Sequence, residues 1–458
     1  MTQTIILNNL AQFVEYMGKE HDAQLEEELQ SPDVVKRQRI EKQREELHAY
    51  TRNLKQLLED GGHCFGFSLT FGAMRQIGKL DWWVKALRAI ATWDGNLSSL
   101  EREMVHHPKQ TLKDIFNRVL NYVVMSHALE GAAAIFPDID QFNILKPDAH
   151  NLDKPDSKKD SVNVPVERIR RSYFELVDNE AKKGDGPIKT IKTRKKIAGH
   201  FTRTQLKKLL GSVSSLKNSI ILVHCIDHTI CISYKKPTWN IYDPNYDHKR
   251  KNIIYKTNKI LQCADEIRRI LGDSIAIEIA SFDKNVSMNF PEYDRLIRES
   301  PLTLLDNDGF RMLSESSPKT LITAMQNIPV LEKPIFLKKM AVTMGKIVSD
   351  RTLLQAVARD APDALFLLLQ FADGAKEEKH VVVAILLAMA YQNAKQWTGL
   401  HFMAFCAPKA LLNLIEIMNR SIQRENYLTI FFKILPEQTN RQKTGLHFMA
   451  CCSPEALL

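Results

Sequence analysis

Apolar residues recur at helical spacing from the start of the chain, and residues 1–60 read as helical. In the charged stretch 20–60, Leu47, Tyr50, Leu54, Leu57 and Leu58 form one stripe, the pattern of a long exposed helix or a helical hairpin. Pro32 marks a helix start within it. This segment need not carry chemistry. Between 64 and 135 the apolar density rises. FGFSLTFGAMRQIGKL and DWWVKALRAIATW predict buried helices, and TLKDIFNRVLNYVVMSHALEGAAAIF a longer one. Residues 145–165 are polar and broken by prolines, so they predict a loop or linker.

The period changes after 219. SIILVHCI, HTICISYK and TWNIYDP are short and rich in β-branched residues, which predicts strands. KILQCADEIRRILG returns to helix, and IAIEIASF predicts one more strand. Residues 1–290 therefore predict an α+β unit, with helices first and a small antiparallel sheet second.

The last third repeats itself. DGFRMLSESSPKTLITAM, RTLLQAVARDAPDALFLLL, TGLHFMAFCAPKALLNLI and TGLHFMACCSPEALL align on Pro318, Pro362, Pro408 and Pro454, spaced by 44, 46 and 46 residues. Such a period suits two or three helices per unit, stacked as an α-solenoid of armadillo/HEAT-like character. Each proline suits the first turn of a second helix, where its missing N–H costs little. The fourth copy stops short of the others, so a truncated longer protein is expected. Three regions follow: a helical segment 1–60, a unit 61–290 with a basic insertion at 145–210, and a helical repeat region 300–458.

Composition narrows the function classes. The chain has 458 residues, 44% hydrophobic and 26% charged, as in ordinary globular proteins. No stretch approaches about 20 continuous apolar residues. The first 22 residues lack the basic start and apolar centre of a signal peptide. Seven scattered cysteines without CxxC spacing argue for free thiols in a reducing compartment. The net charge of +9 is concentrated at 181–210, with ten Lys/Arg and one acid. This stretch is either a solvated loop running into a helix or a patch for an acidic partner or an anionic membrane surface. Only Phe201 interrupts it as a stacking residue, so no nucleic acid is expected. Neither a metal nor a cofactor is called for. His401 and His447 lie close to Cys406, Cys451 and Cys452, but repetition of a packing consensus explains them better than a metal site.

One constellation carries chemistry. A thiol nucleophile needs a lowered pKa, a base within reach and donors for an oxyanion. GGHC, followed by an apolar helix, puts Cys64 at a helix N-terminus, where backbone N–H groups favour an anion. His63 is not the expected base, because adjacent side chains at a helix start diverge. Residues 228–247, HTICISYKKPTWNIYDPNYD, predict a β-hairpin. With its centre between Lys235 and Lys236, His228 faces Asp243 across the strands. His224 and Asp247 are equidistant from the same centre and form a second solution. His228–Asp243 is favoured because it lies closer to the turn and because Pro244 ends the strand.

Cysteine in a Gly-rich turn at a helix start, then a distant histidine opening a strand, then aspartate in an aromatic-Asp-Pro-Asn segment resembles the YopT/AvrPphB-type papain-like cysteine peptidases of bacterial effectors. The matching pieces are GHC at 62–64, HTICISY at 228–234 and YDPN at 242–245. The likeness covers about 50–290. It implies a papain-like fold with Cys64 as nucleophile, His228 as general base and acid, and Asp243 as orienting carboxylate. Asn53 and Gln56 are the available candidates for the upstream oxyanion amide; the Cys64 backbone N–H is the firmer donor. The resemblance further implies a protein delivered into a host cytoplasm and cleaving a host protein there. It does not extend to the repeats, which are expected from their own pattern to be a binding or spacing module for substrate or a protein partner. Two alternatives stand beside it: an acyltransferase, transglutaminase or deamidase using the same thiol, and a non-enzymatic repeat scaffold.

Overall fold

The computed structural model describes residues 2–135 and 193–452, apart from 31, 60–62, 105–106, 217–218, 247–252, 282–287, 307, 349–350, 395, 438 and 440–442. It is an α+β molecule. Helices α1 (Thr2–Glu28), α2 (Val34–Glu59), α3 (Cys64–Gln76), α4 (Leu80–Ala91) and α5 (Leu112–Ile135) come first. A short ribbon, Glu103–Met104 with His107–Thr111, precedes α5. The sheet is built from β1 (Thr193–His200), β2 (Ser219–His224), β3 (Thr229–Lys235), β4 (Thr238–Tyr242), β5 (Ile254–Thr257) and β6 (Ser274–Ser281). Its spatial order is β1-β6-β2-β3-β4-β5, and every pairing is antiparallel. Helices α6 (Arg203–Val213) and α7 (Ile260–Leu271) are inserted between its strands.

Strand alternation sorts the side chains onto two faces. Ile220, Leu222, Cys231 and Tyr242 pack with the N-terminal helices. Ile221, Val223, Ile230, Ile232, Trp239 and Ile241 pack with α6, α7 and the helical region beyond. Helix α3 is buried from Cys64 to Met74, as befits a helix that is apolar on every side. It lies close because of two glycines. A Cβ on Gly66 would meet Ser126 Oγ at 2.1 Å, and one on Gly72 would meet Ile220 Cγ2 at 2.8 Å.

The structure corrects the sequence reading in three places. The N-terminal segment is a helical hairpin, one of the two forms expected, tied by Arg44–Asp22 and Lys55–Glu15. It is not separate from the α+β unit, because Ile6, Leu7, Leu10, Phe13 and Val14 belong to the core around α3. The basic stretch is not one insertion over 145–210. Residues 193–200 are edge strand β1, and 203–213 are α6, opened by a Thr202/Gln205 capping box. Residues 136–192 lie outside the described residues. The sheet also has six strands where the sequence pattern predicts four.

The last third consists of helices in threes. First helices Gly309–Ser316, Leu353–Asp360, Gly399–Cys406 and Gly445–Cys452 stack in order. Second helices Pro318–Gln326, Pro362–Ala372 and Pro408–Arg420 do the same, as do third helices Lys333–Thr343, Glu378–Met389 and Arg424–Ile434. Pro318, Pro362 and Pro408 open their second helices; Pro454 lies outside the described residues. Equivalent side chains on the first helices link each unit to the next. Arg311 Nη1 donates to Arg351 O at 3.5 Å, Gln355 Nε2 to Tyr391 O and Trp397 O at 3.0 and 3.1 Å, and His401 Nε2 meets Lys443 O at 3.1 Å. The helix Gly309–Ser316 rests on β1 and β6. Gly309 permits this approach, since a Cβ there would meet His200 N of β1 at 2.6 Å.

Candidate active site

Cys64 is the first residue of α3 and is 8% exposed. Its sulfur lies 4.0 Å from Asp227 O, which brings α3 against the β2–β3 turn. That turn presents His228. Cys225 N donates to His228 O at 2.9 Å, His224 Nδ1 pairs with Thr229 Oγ1 at 2.9 Å, and Ser68 Oγ of α3 donates to Thr229 O at 2.9 Å. The backbone around His228 is thus held from both flanks and from the helix that carries the thiol.

His228 Nε2 meets Asp243 Oδ1 at 2.8 Å. The same carboxylate oxygen accepts Asn245 N at 2.8 Å, and Tyr246 N donates to Asp243 O at 2.9 Å. Asp243-Pro244-Asn245 is therefore a turn closed by its own side chain, which fixes the carboxylate. With Nε2 engaged, the nitrogen left for Cys64 is Nδ1. Burial works against a charged ring at His228. Hydrogen bonds from Asp243 and Cys64, with the charges of both, outweigh it and push the imidazole up to about 9. The ring thus lies between a carboxylate and a sulfur, both of which favour its charged form.

The hairpin register differs from the predicted one. Lys235 pairs with Thr238 and Cys231 with Tyr242, so the turn is centred between Lys236 and Pro237. This is two residues out of register from the expected pairing. A shift of two preserves the face, so His228 and Asp243 still meet, as diagonal neighbours beyond the strand ends. Of the second solution only His224 lies among the described residues. His224 belongs to β2, where it packs against Glu278 at 3.7 Å with both side chains buried, while Asp247 lies outside the described residues.

The remaining candidates divide clearly. His63 is buried and its Nε2 meets Leu57 O at 2.9 Å, tying the end of α2 to the start of α3. Asn53 and Gln56 are exposed on α2. The amide beside Cys64 N is instead Gln3, on the first turn of α1 and 8% exposed. No local motif announces Gln3; it lies 61 residues before the cysteine. Lys195 and Lys196 are half-buried on β1, and residues 181–192 of the basic stretch lie outside the described residues.

His401 caps its own helix. Its Nδ1 meets Thr398 Oγ1 at 2.6 Å and accepts from Thr398 N at 3.0 Å. His447 repeats the motif with Thr444 at 2.7 Å. Among the described residues no group of three or more metal-ligating side chains converges. Compared with protein-family models, with curated proteins and with solved structures, the chain matches none.

Proposed function

We propose that the protein is a thiol hydrolase of papain-like type, cleaving a protein substrate through Cys64, His228 and Asp243, with a C-terminal α-solenoid that holds the substrate or a partner. The observation that carries this reading is His228, bonded to Asp243 at 2.8 Å on one side and engaged with Cys64 on the other. The Cys64 thiolate attacks the acyl carbon. The developing oxyanion is met by N–H groups at the start of α3, where the helix dipole favours negative charge. His228, protonated, gives its proton to the leaving amine, then takes one from the water that resolves the thioester. Asp243 holds the ring oriented throughout. The helix stacking with its 44- and 46-residue period supports the solenoid reading.

A comparison of polypeptide termini tests the proposal. Eukaryotic cell extract is incubated with wild-type protein or Cys64→Ala. New N-termini that appear with wild type alone are the expected result. Mass changes on side chains without new termini would redirect the thiol to acyl transfer. If the two extracts are identical, the enzymatic reading falls.

A further inference from the structure

The carboxamide of Gln3 faces two backbone donors at the start of α3, so its oxygen belongs on that side. In this setting the oxygen accepts Cys64 N–H at 3.0 Å and His63 N–H at 3.2 Å. Two N–H groups converging on one oxygen beside a nucleophilic sulfur is the geometry of an oxyanion site. Here the acceptor position is already filled by the protein itself.

We propose that Gln3 is a latch: its side-chain oxygen occupies the acceptor position beside Cys64 and must withdraw before an acyl group can be attacked. The proposal rests on the thiol-hydrolase reading and adds a regulatory step to it. Two features suit Gln3 to this task. A carboxamide oxygen is a neutral acceptor, so it holds the two donors without the strength of a charge-assisted bond. It also stands on the first turn of α1, ahead of the buried anchors Ile6, Leu7 and Leu10. A first turn has N–H groups without intrahelical partners and opens at lower cost than the rest of its helix. The latch can therefore leave while α1 stays packed.

Two probes of the intact protein separate the possibilities. With p-nitrophenyl acetate, the Cys64 sulfur bonds to the acetyl carbon and p-nitrophenolate departs with the electron pair, a step that uses the oxyanion site. Iodoacetamide alkylates the same sulfur without it. Gln3→Ala is expected to speed acylation about tenfold, the effect of about one hydrogen bond. Gln3→Glu keeps the acceptor and adds charge, and is expected to slow acylation by about the same factor. Iodoacetamide labelling, which does not use the oxyanion site, should change less than acylation does in both. Slower acylation in Gln3→Ala with labelling retained would make Gln3 a donor to the oxyanion and overturn the latch. Acylation of Gln3→Glu at the wild-type rate would overturn it as well, even if Gln3→Ala does not fold. Failure of the underlying reading gives a different signature: iodoacetamide labelling of Cys64 that is indifferent to His228→Ala.

Discussion

Two histidines in this molecule have nearly the same local chemistry and opposite fates. His228 and His401 each sit beside or near a threonine, each within a few residues of a cysteine in sequence. At His401 the ring meets Thr398 and a backbone carbonyl, and burial pulls its pKa down. At His228 it meets a carboxylate and a thiol, and the same burial is outweighed, so its pKa rises to about 9. The difference lies in the partner. Neutral oxygens leave a histidine as a cap that joins two helical units; charged or chargeable partners on both sides favour its protonated form. A list of residue types does not separate the two cases, but what the fold brings opposite each ring does: a hairpin carboxylate for His228, a helix cap and a neighbouring carbonyl for His401.

The sharpest way to break this comparison is at the thiol. Cys64→Ala should reduce p-nitrophenyl acetate turnover by about 10⁴-fold or more, whereas Cys406→Ala should leave it unchanged. Equal turnover in wild type and Cys64→Ala would end the comparison. Next comes Asp243→Ala, expected to lower kcat by about 10²- to 10⁴-fold at neutral pH. It should also move the alkaline limb of the pH–rate profile from near 9 toward the ordinary imidazole value of 6.5. The sign follows from a raised pKa in the folded protein. The stabilisation of charged His228 is complete below the ordinary value and is lost as pH rises through about 9. An alkaline limb that stays near 9 in Asp243→Ala would remove the carboxylate from its role.

On the other side of the comparison, His401→Ala should cost about 1–2 kcal/mol in denaturant unfolding, through loss of the cap and the link to Lys443 O. His401→Gln, which copies the residue at position 355, should recover most of it, and neither variant should alter labelling of Cys64. A change in labelling would mean the two histidines are not independent. The smallest effect is expected at β1. Lys195→Glu with Lys196→Glu should raise KM for a protein substrate roughly threefold with kcat kept, if these lysines border an acidic partner site. An unchanged KM leaves them as the lysines of an exposed strand edge.

Much of this site is legible in the sequence because its parts are short and local. HTICISY and YDPN flank one hairpin, so any register within two residues on the same face joins His228 to Asp243. The prolines of the repeats are legible for a similar reason: each opens a helix, and the helix start is a local event. Three things are not legible. Gln3 reaches Cys64 only through the packing of α1 on α3, α4 and α5, which no spacing encodes. Strand β1 carries TRKK and reads as a basic loop, although lysines are what an exposed sheet edge favours. Strand β5, IYKT, is four residues long and too short to declare a period.

The links from Arg311, Gln355 and His401 also bear on how the repeat array yields to stress. At positions 355 and 401 one side chain both caps its own helix and grips the backbone of the next unit, so the two functions fail together. Melting of one unit therefore loosens its neighbour, and the array should come apart as one cooperative body, not as a string of beads. Because the first of these helices lies on β1 and β6, a load taken up at the far repeats would be carried rigidly into the sheet.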